Sequence, residues 1–134
     1  MRKANYDKFP STKLTGMLVQ GWDSIISMLK KKMDARKVLA VDLYTGVYEE
    51  EVLDAFSKEF SGKVMNVRDL MKPEQEIQTL TERFMTEDVL FGYVTNLKLE
   101  DYLDADKVAA ARKQISEAKE TIVIIGTGAA VVAP

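Results

Sequence analysis

Hydrophobic positions fall in two alternating patterns along the chain. Trp22, Ile25, Ile26, Leu29 and Met33 recur at helical spacing and draw one apolar stripe. Lys37-Val38-Leu39-Ala40-Val41-Asp42-Leu43-Tyr44 follows as a nearly continuous apolar run. It is too short for a typical helix, and it has the pattern of a parallel strand covered on both faces. Thr45-Gly46 turns the chain, and Val52, Leu53, Phe56 and Phe60 mark a helix over about 47–60 that Ser61-Gly62 stops. The alternation then repeats. Lys63–Val67 predicts a second strand, Pro73 opens a helix with Ile77, Leu80 and Phe84 inward, and Val89–Val94 predicts a third strand. Asp104 caps a helix to about Ala118 that buries Val108, Ala111 and Ile115. Thr121–Ile125 predicts a fourth strand and Ala129–Val132 a fifth.

Strands alternating with amphipathic helices imply right-handed crossovers and a parallel sheet. The expected fold is therefore a three-layer α/β domain with a mostly parallel sheet of four to five strands, Rossmann-like or degenerate P-loop-like. Residues 1–20 read as an extended arm, in which Met17-Leu18-Val19 has the makings of a short edge strand. With 134 residues and no low-complexity linker, one domain is the economical organisation. The sequence stops at Val131-Val132-Ala133-Pro134, straight out of an apolar run. That ending is expected of the N-terminal part of a longer protein.

Composition narrows the chemistry. Lys and Arg number 19 against 21 Asp and Glu, a balance without the basic footprint of a nucleic-acid binder. Lys30-Lys31-Lys32 reads as a solvated helix end that suits the helix dipole. The sequence has neither cysteine nor histidine. Disulfides, thiolate nucleophiles and imidazole chemistry are excluded, and a metal site would have only oxygen ligands. The N-terminus lacks the apolar stretch of a signal peptide, and no window reaches the roughly 18 apolar residues of a membrane span. A cytoplasmic protein with no nucleic-acid or membrane partner is the expectation.

Ligands of open α/β sheets sit beyond the carboxyl ends of the strands. The first candidate there is the turn Tyr44-Thr45-Gly46, followed by Tyr48. A phosphate-binding loop needs several glycines and a lysine; this turn has one glycine and no lysine. Glu49, Glu50 and Glu51 follow it, complementing the helix dipole and repelling a triphosphate. A structural turn, a degenerate phosphate loop and a seat for a neutral or cationic ligand all fit. Gly126-Thr127-Gly128 is the second candidate, but the third glycine of a dinucleotide fingerprint is Val131 here and a tight turn is the plainer reading. Arg68, with Asp69 and Lys72, offers a guanidinium that can clamp an anion or simply pair with Asp69. Tyr93 and Asn96 are expected at the same crevice. Glu87, Asp88, Glu100, Asp101, Asp104 and Asp106 read as caps and surface charge rather than a magnesium site. The candidate ligand-binding set is therefore Tyr44, Thr45, Gly46, Arg68, Gly126, Thr127 and Gly128, with no catalytic and no metal residue.

Asn5-Tyr6-Asp7-Lys8-Phe9-Pro10, Val41–Val47, Thr86–Tyr93 and Gly126–Ala130 resemble the leader segment of mannose-6-phosphate isomerase-like proteins of Bacteroides-type bacteria. In its order of elements the chain also resembles P-loop kinases of the uridine-kinase type, without their phosphate loop. The first resemblance implies an α/β leader domain ahead of a zinc-dependent isomerase that interconverts mannose 6-phosphate and fructose 6-phosphate. Zinc would belong to the full-length protein, because no histidine stands in this segment to carry a ligand role over. The implied partner is a C-terminal catalytic domain of the same chain. The alternative is a module that binds a small phosphorylated ligand, a nucleotide or a sugar phosphate.

Overall fold

A computed structural model describes residues 9–13, 15–33, 37–60, 62–88 and 90–133. The helices are α1 (Trp22–Met33), α2 (Glu49–Glu59), α3 (Glu74–Glu82), α4 (Ala105–Glu117) and α5 (Ala129–Val132). The strands are β1 (Val38–Asp42), β2 (Lys63–Asn66) and β3 (Ile122–Gly126), all parallel, in the order β1-β3-β2. Val38 and Lys63 both stand beside Ile122, and Asp42 stands beside Gly126.

The last strand in the sequence is thus the middle one in space, which explains its composition. Ile122-Val123-Ile124-Ile125 is apolar on both faces because helices cover both. On one face Val123 and Ile125 pack with Ile26 of α1 and with Val52 and Phe56 of α2. On the other, Ile122 and Ile124 pack with Val108, Ala111 and Ile115 of α4 and with Ala129 and Val132 of α5. Val123, Ile124 and Ile125 have no exposed surface, and each such side chain contributes about 1.5–3 kcal/mol by leaving water. Phe56 locks α2 to α1, its ring meeting Trp22 edge-on with centroids 6.2 Å apart. Local signals agree with this packing. The Asp104 carboxylate accepts the N–H groups of Asp106 and Lys107 at the start of α4, both at 3.0 Å.

The sheet is smaller than the four to five strands expected, with three among the described residues. Leu90–Val94 is exposed and forms no strand, and Val89 lies outside the described residues. The reason is local: one Asp88 carboxylate oxygen accepts the N–H groups of Leu90 and Phe91, and Tyr93 donates its N–H to the Phe84 carbonyl. Amides held this way are not offered to a ladder. Ala129–Val132 is the helix α5 rather than a strand. Met17-Leu18-Val19 forms no strand, and residues 1–8 of the predicted arm, Asn5–Lys8 included, lie outside the described residues, as does Ser61. No described helix is long and apolar enough to cross a membrane.

Candidate functional site

All three strands point the same way, so Asp42, Asn66 and Gly126 meet at one end of the sheet. From there β1 leads to α2 on one face, while its neighbour β3 leads to α5 on the other. Diverging loops of adjacent parallel strands open a crevice, the usual ligand seat of such sheets. Here the chain fills that crevice itself. One oxygen of the Asp42 carboxylate accepts the Gly128 N–H at 2.9 Å and the other accepts the Ala130 N–H at 3.1 Å. Thr127 donates its hydroxyl to the Leu43 carbonyl at 2.9 Å, and Leu43 donates its N–H to the Gly126 carbonyl at 3.3 Å. The amides that an incoming anion would need are already bound to a carboxylate. Two glycines make this turn possible. Gly126 has φ 137°, and a Cβ on it would stand 2.8 Å from the Val67 Cβ. Gly128 has φ 86°.

Beside the crevice lies a cleft of about 350 Å³ whose walls include Glu49, Arg68, Met71, Leu99, Tyr102 and Thr127. Its one guanidinium is spoken for: Arg68 Nη2 lies 3.5 Å from a carboxylate oxygen of Glu49. Asn66, the last residue of β2, fixes both partners. Its amide donates to the other Glu49 oxygen at 2.7 Å, and its side-chain oxygen accepts the Arg68 N–H at 2.8 Å. The pair differs in environment, the Glu49 side chain being 22% exposed and that of Arg68 68%. Arg68 can swing into water, whereas Glu49 holds its place at the head of α2.

The model of one family, a domain of unknown function named DUF8485, matches residues 21–134. The chain belongs to the DUF8485 family. No curated protein and no solved structure matches it. The DUF8485 match opens at Gly21, immediately before α1, so it takes in every described helix and strand and leaves the arm outside.

Within the DUF8485 domain the sequence-predicted residues divide. Arg68, Gly126 and Thr127 line the cleft together. Gly128 sits at the crevice, its N–H on Asp42. Tyr44, Thr45 and Gly46 form an exposed turn at the same end of the sheet, closed by the Val47 N–H on the Tyr44 carbonyl at 3.2 Å, but they do not line the cleft. Tyr48, Tyr93 and Asn96 are also exposed and away from its walls. Arg68 pairs with Glu49 rather than with Asp69, and Lys72 donates to the Asp101 carbonyl at 2.7 Å. The acidic residues are dispersed: Asp88 and Asp104 cap turns, Asp101 accepts the Lys98 N–H, and no three acidic side chains come together among the described residues.

Two side chains at this end of the sheet carry more than local pattern predicts. Glu49 is one of three glutamates that complement the helix dipole, yet its two carboxylate oxygens also reach across to Asn66 and Arg68. Asp42 belongs to the predicted strand run, yet its carboxylate crosses to Gly128 and Ala130. A carboxylate closing an otherwise apolar strand run was the available signal, since such a group must find donors when the strand packs.

Proposed function

We propose that this DUF8485 domain is a noncatalytic accessory domain of a sugar-phosphate isomerase-like protein, a support on which a catalytic part docks. One observation carries the reading: Asp42 occupies the Gly128 and Ala130 amides at the place where this architecture would grip phosphate. The Glu49–Arg68 pair adds to it by countering the one cationic side chain that lines the adjoining cleft. The isomerase connection comes from the resemblance of the Asn5–Pro10, Val41–Val47, Thr86–Tyr93 and Gly126–Ala130 segments to mannose-6-phosphate isomerase-like leaders. Kinship with Rossmann-like or degenerate P-loop-like domains belongs to the same proposal. It is supported by a parallel sheet whose first strand runs through a glycine turn into a helix. Isothermal titration of the 134-residue chain with ATP or GTP and magnesium should give no binding heat, and mannose 6-phosphate should not turn over. Micromolar nucleotide binding or steady turnover overturns the proposal.

The cleft favours a second reading. Its apolar floor with Arg68, Tyr102 and Thr127 at the rim suits a small ligand carrying one anionic group, if Arg68 leaves Glu49 to meet it. A thermal-shift screen of phosphorylated metabolites separates the two: a hit that Arg68→Ala abolishes selects the binding module, and a flat panel selects the support.

A further inference from the structure

β1 has the composition of an interior strand and the position of an edge. Ile122 donates its N–H to the Lys37 carbonyl at 2.7 Å, and Leu43 donates to Gly126 at 3.3 Å. In a parallel ladder alternate residues turn both backbone groups to the same neighbour. Lys37, Leu39, Val41 and Leu43 therefore face β3, while Val38, Ala40 and Asp42 turn their N–H and C=O groups away from it. Among the described residues no hydrogen bond reaches those outward N–H groups.

Natural edge strands protect themselves with charge, proline, bulges or shortness. β2, the other edge, is four residues long and opens on Lys63. β1 is one residue longer and has charges only at its ends, Lys37 and Asp42; Val38–Val41 between them carry neither charge nor proline, and Ala40 lies bare in the centre. The exposed side chains of Tyr44, Val47 and Tyr48 extend the apolar border past its carboxyl end.

Topology says where a covering strand comes from. β1 reaches β2 through α2 on one face, and β2 reaches β3 through α4 on the other, moving back toward β1. Reversing both face and direction preserves handedness, so both steps have the same, right-handed sense. α5 leaves β3 on the α4 face. A right-handed crossover through α5 must step the same way as the one through α4. The adjoining place is held by β1, and the next open place is the outer edge of β1.

We propose that this edge receives a fourth parallel strand, an extended apolar segment of the catalytic part joined through α5. The inference rests on the accessory-domain reading and deepens it by naming the docking surface.

Hydrogen exchange tests it on the 134-residue chain and on the full product of its gene. In the short chain the amides of Val38, Ala40 and Asp42 should exchange rapidly. In the full product they should slow by on the order of 100-fold or more, while Leu39 and Val41 are slow in both. Ala40→Pro removes an N–H that β3 does not use, so it should abolish the added protection and leave the amides of β3 slow. Retained protection in Ala40→Pro overturns the inference. A longer gene product with fast exchange at the three residues overturns the inference alone. A gene product ending at Pro134 overturns the accessory-domain reading, and the inference with it. Protection that appears in the short chain as its concentration rises, with a doubled mass by light scattering, gives the edge to a second copy and also overturns it.

Discussion

Replacing Gly126 with alanine attacks the carboxyl end of the sheet at its tightest point. The backbone there has φ 137°, a region that costs an L-residue about 1–3 kcal/mol. The new Cβ would stand 2.8 Å from the Val67 Cβ, 3.2 Å from its Cγ2 and 3.3 Å from its N. Val67 is buried in the α4-side core, so it has little room to yield, and such overpacking costs about 1–3 kcal/mol. Against this, alanine restricts the unfolded chain, returning about 0.4–1 kcal/mol. The net loss should be about 1–5.5 kcal/mol, read from urea unfolding followed by circular dichroism. A cycle with Val67→Gly separates the two penalties. That variant removes the atoms at 2.8 and 3.2 Å and alone costs about 2–4 kcal/mol, from lost burial and added chain freedom. The double variant should be more stable than the sum of the single losses predicts, by roughly the 1–3 kcal/mol of the clash. Additive losses, or a loss below about 1 kcal/mol for Gly126→Ala, would refute the close approach.

Three further outcomes are expected. Asp42→Ala frees the Gly128 and Ala130 amides; with the carboxylate partly in water the loss should be about 1–2 kcal/mol by urea melt, and amide exchange at both residues should quicken. Phe56→Ala empties the middle of the α1–α2 core and should cost about 3–5 kcal/mol, shifting the thermal midpoint down while far-ultraviolet dichroism before the transition keeps its helical shape. Arg68→Ala should change stability by less than about 1 kcal/mol because the guanidinium is mostly solvated, whereas Glu49→Ala, which also strips Asn66 of its partner, should cost more. A reversed order of those two variants would contradict the placement of Glu49.

The parts of the fold written in local pattern were legible in the sequence. The stripe of α1, the apolar run of β1, the Asp104 cap of α4 and the uninterrupted Ile122–Ile125 segment all carry their explanation within a few residues. What could not be read depends on partners far along the chain or on short local competition. Ala129–Val132 has the residues of a strand, but the Gly128 and Ala130 N–H groups are met by a carboxylate 86 and 88 positions earlier, those of Val131 and Val132 turn back to the Gly128 carbonyl, and the chain coils there instead. Leu90–Val94 also has strand-forming residues, but Asp88 and Phe84 take its amides first. The site followed the same rule. Arg68, Gly126 and Thr127 line one cleft because strand ends converge, which the alternation of elements predicts, while the acids at that end become visible only once distant segments are placed together.

The strand order also dictates a timetable. Among the described residues β1 and β2 do not pair with each other; each pairs with β3, which is the last of the three to leave the ribosome. A nascent chain that has reached residue 120 holds two strands with no common neighbour and no way to register them. Sheet assembly must therefore await Ile122–Gly126, and until then the apolar runs of the first half have only helices, or a chaperone, for company.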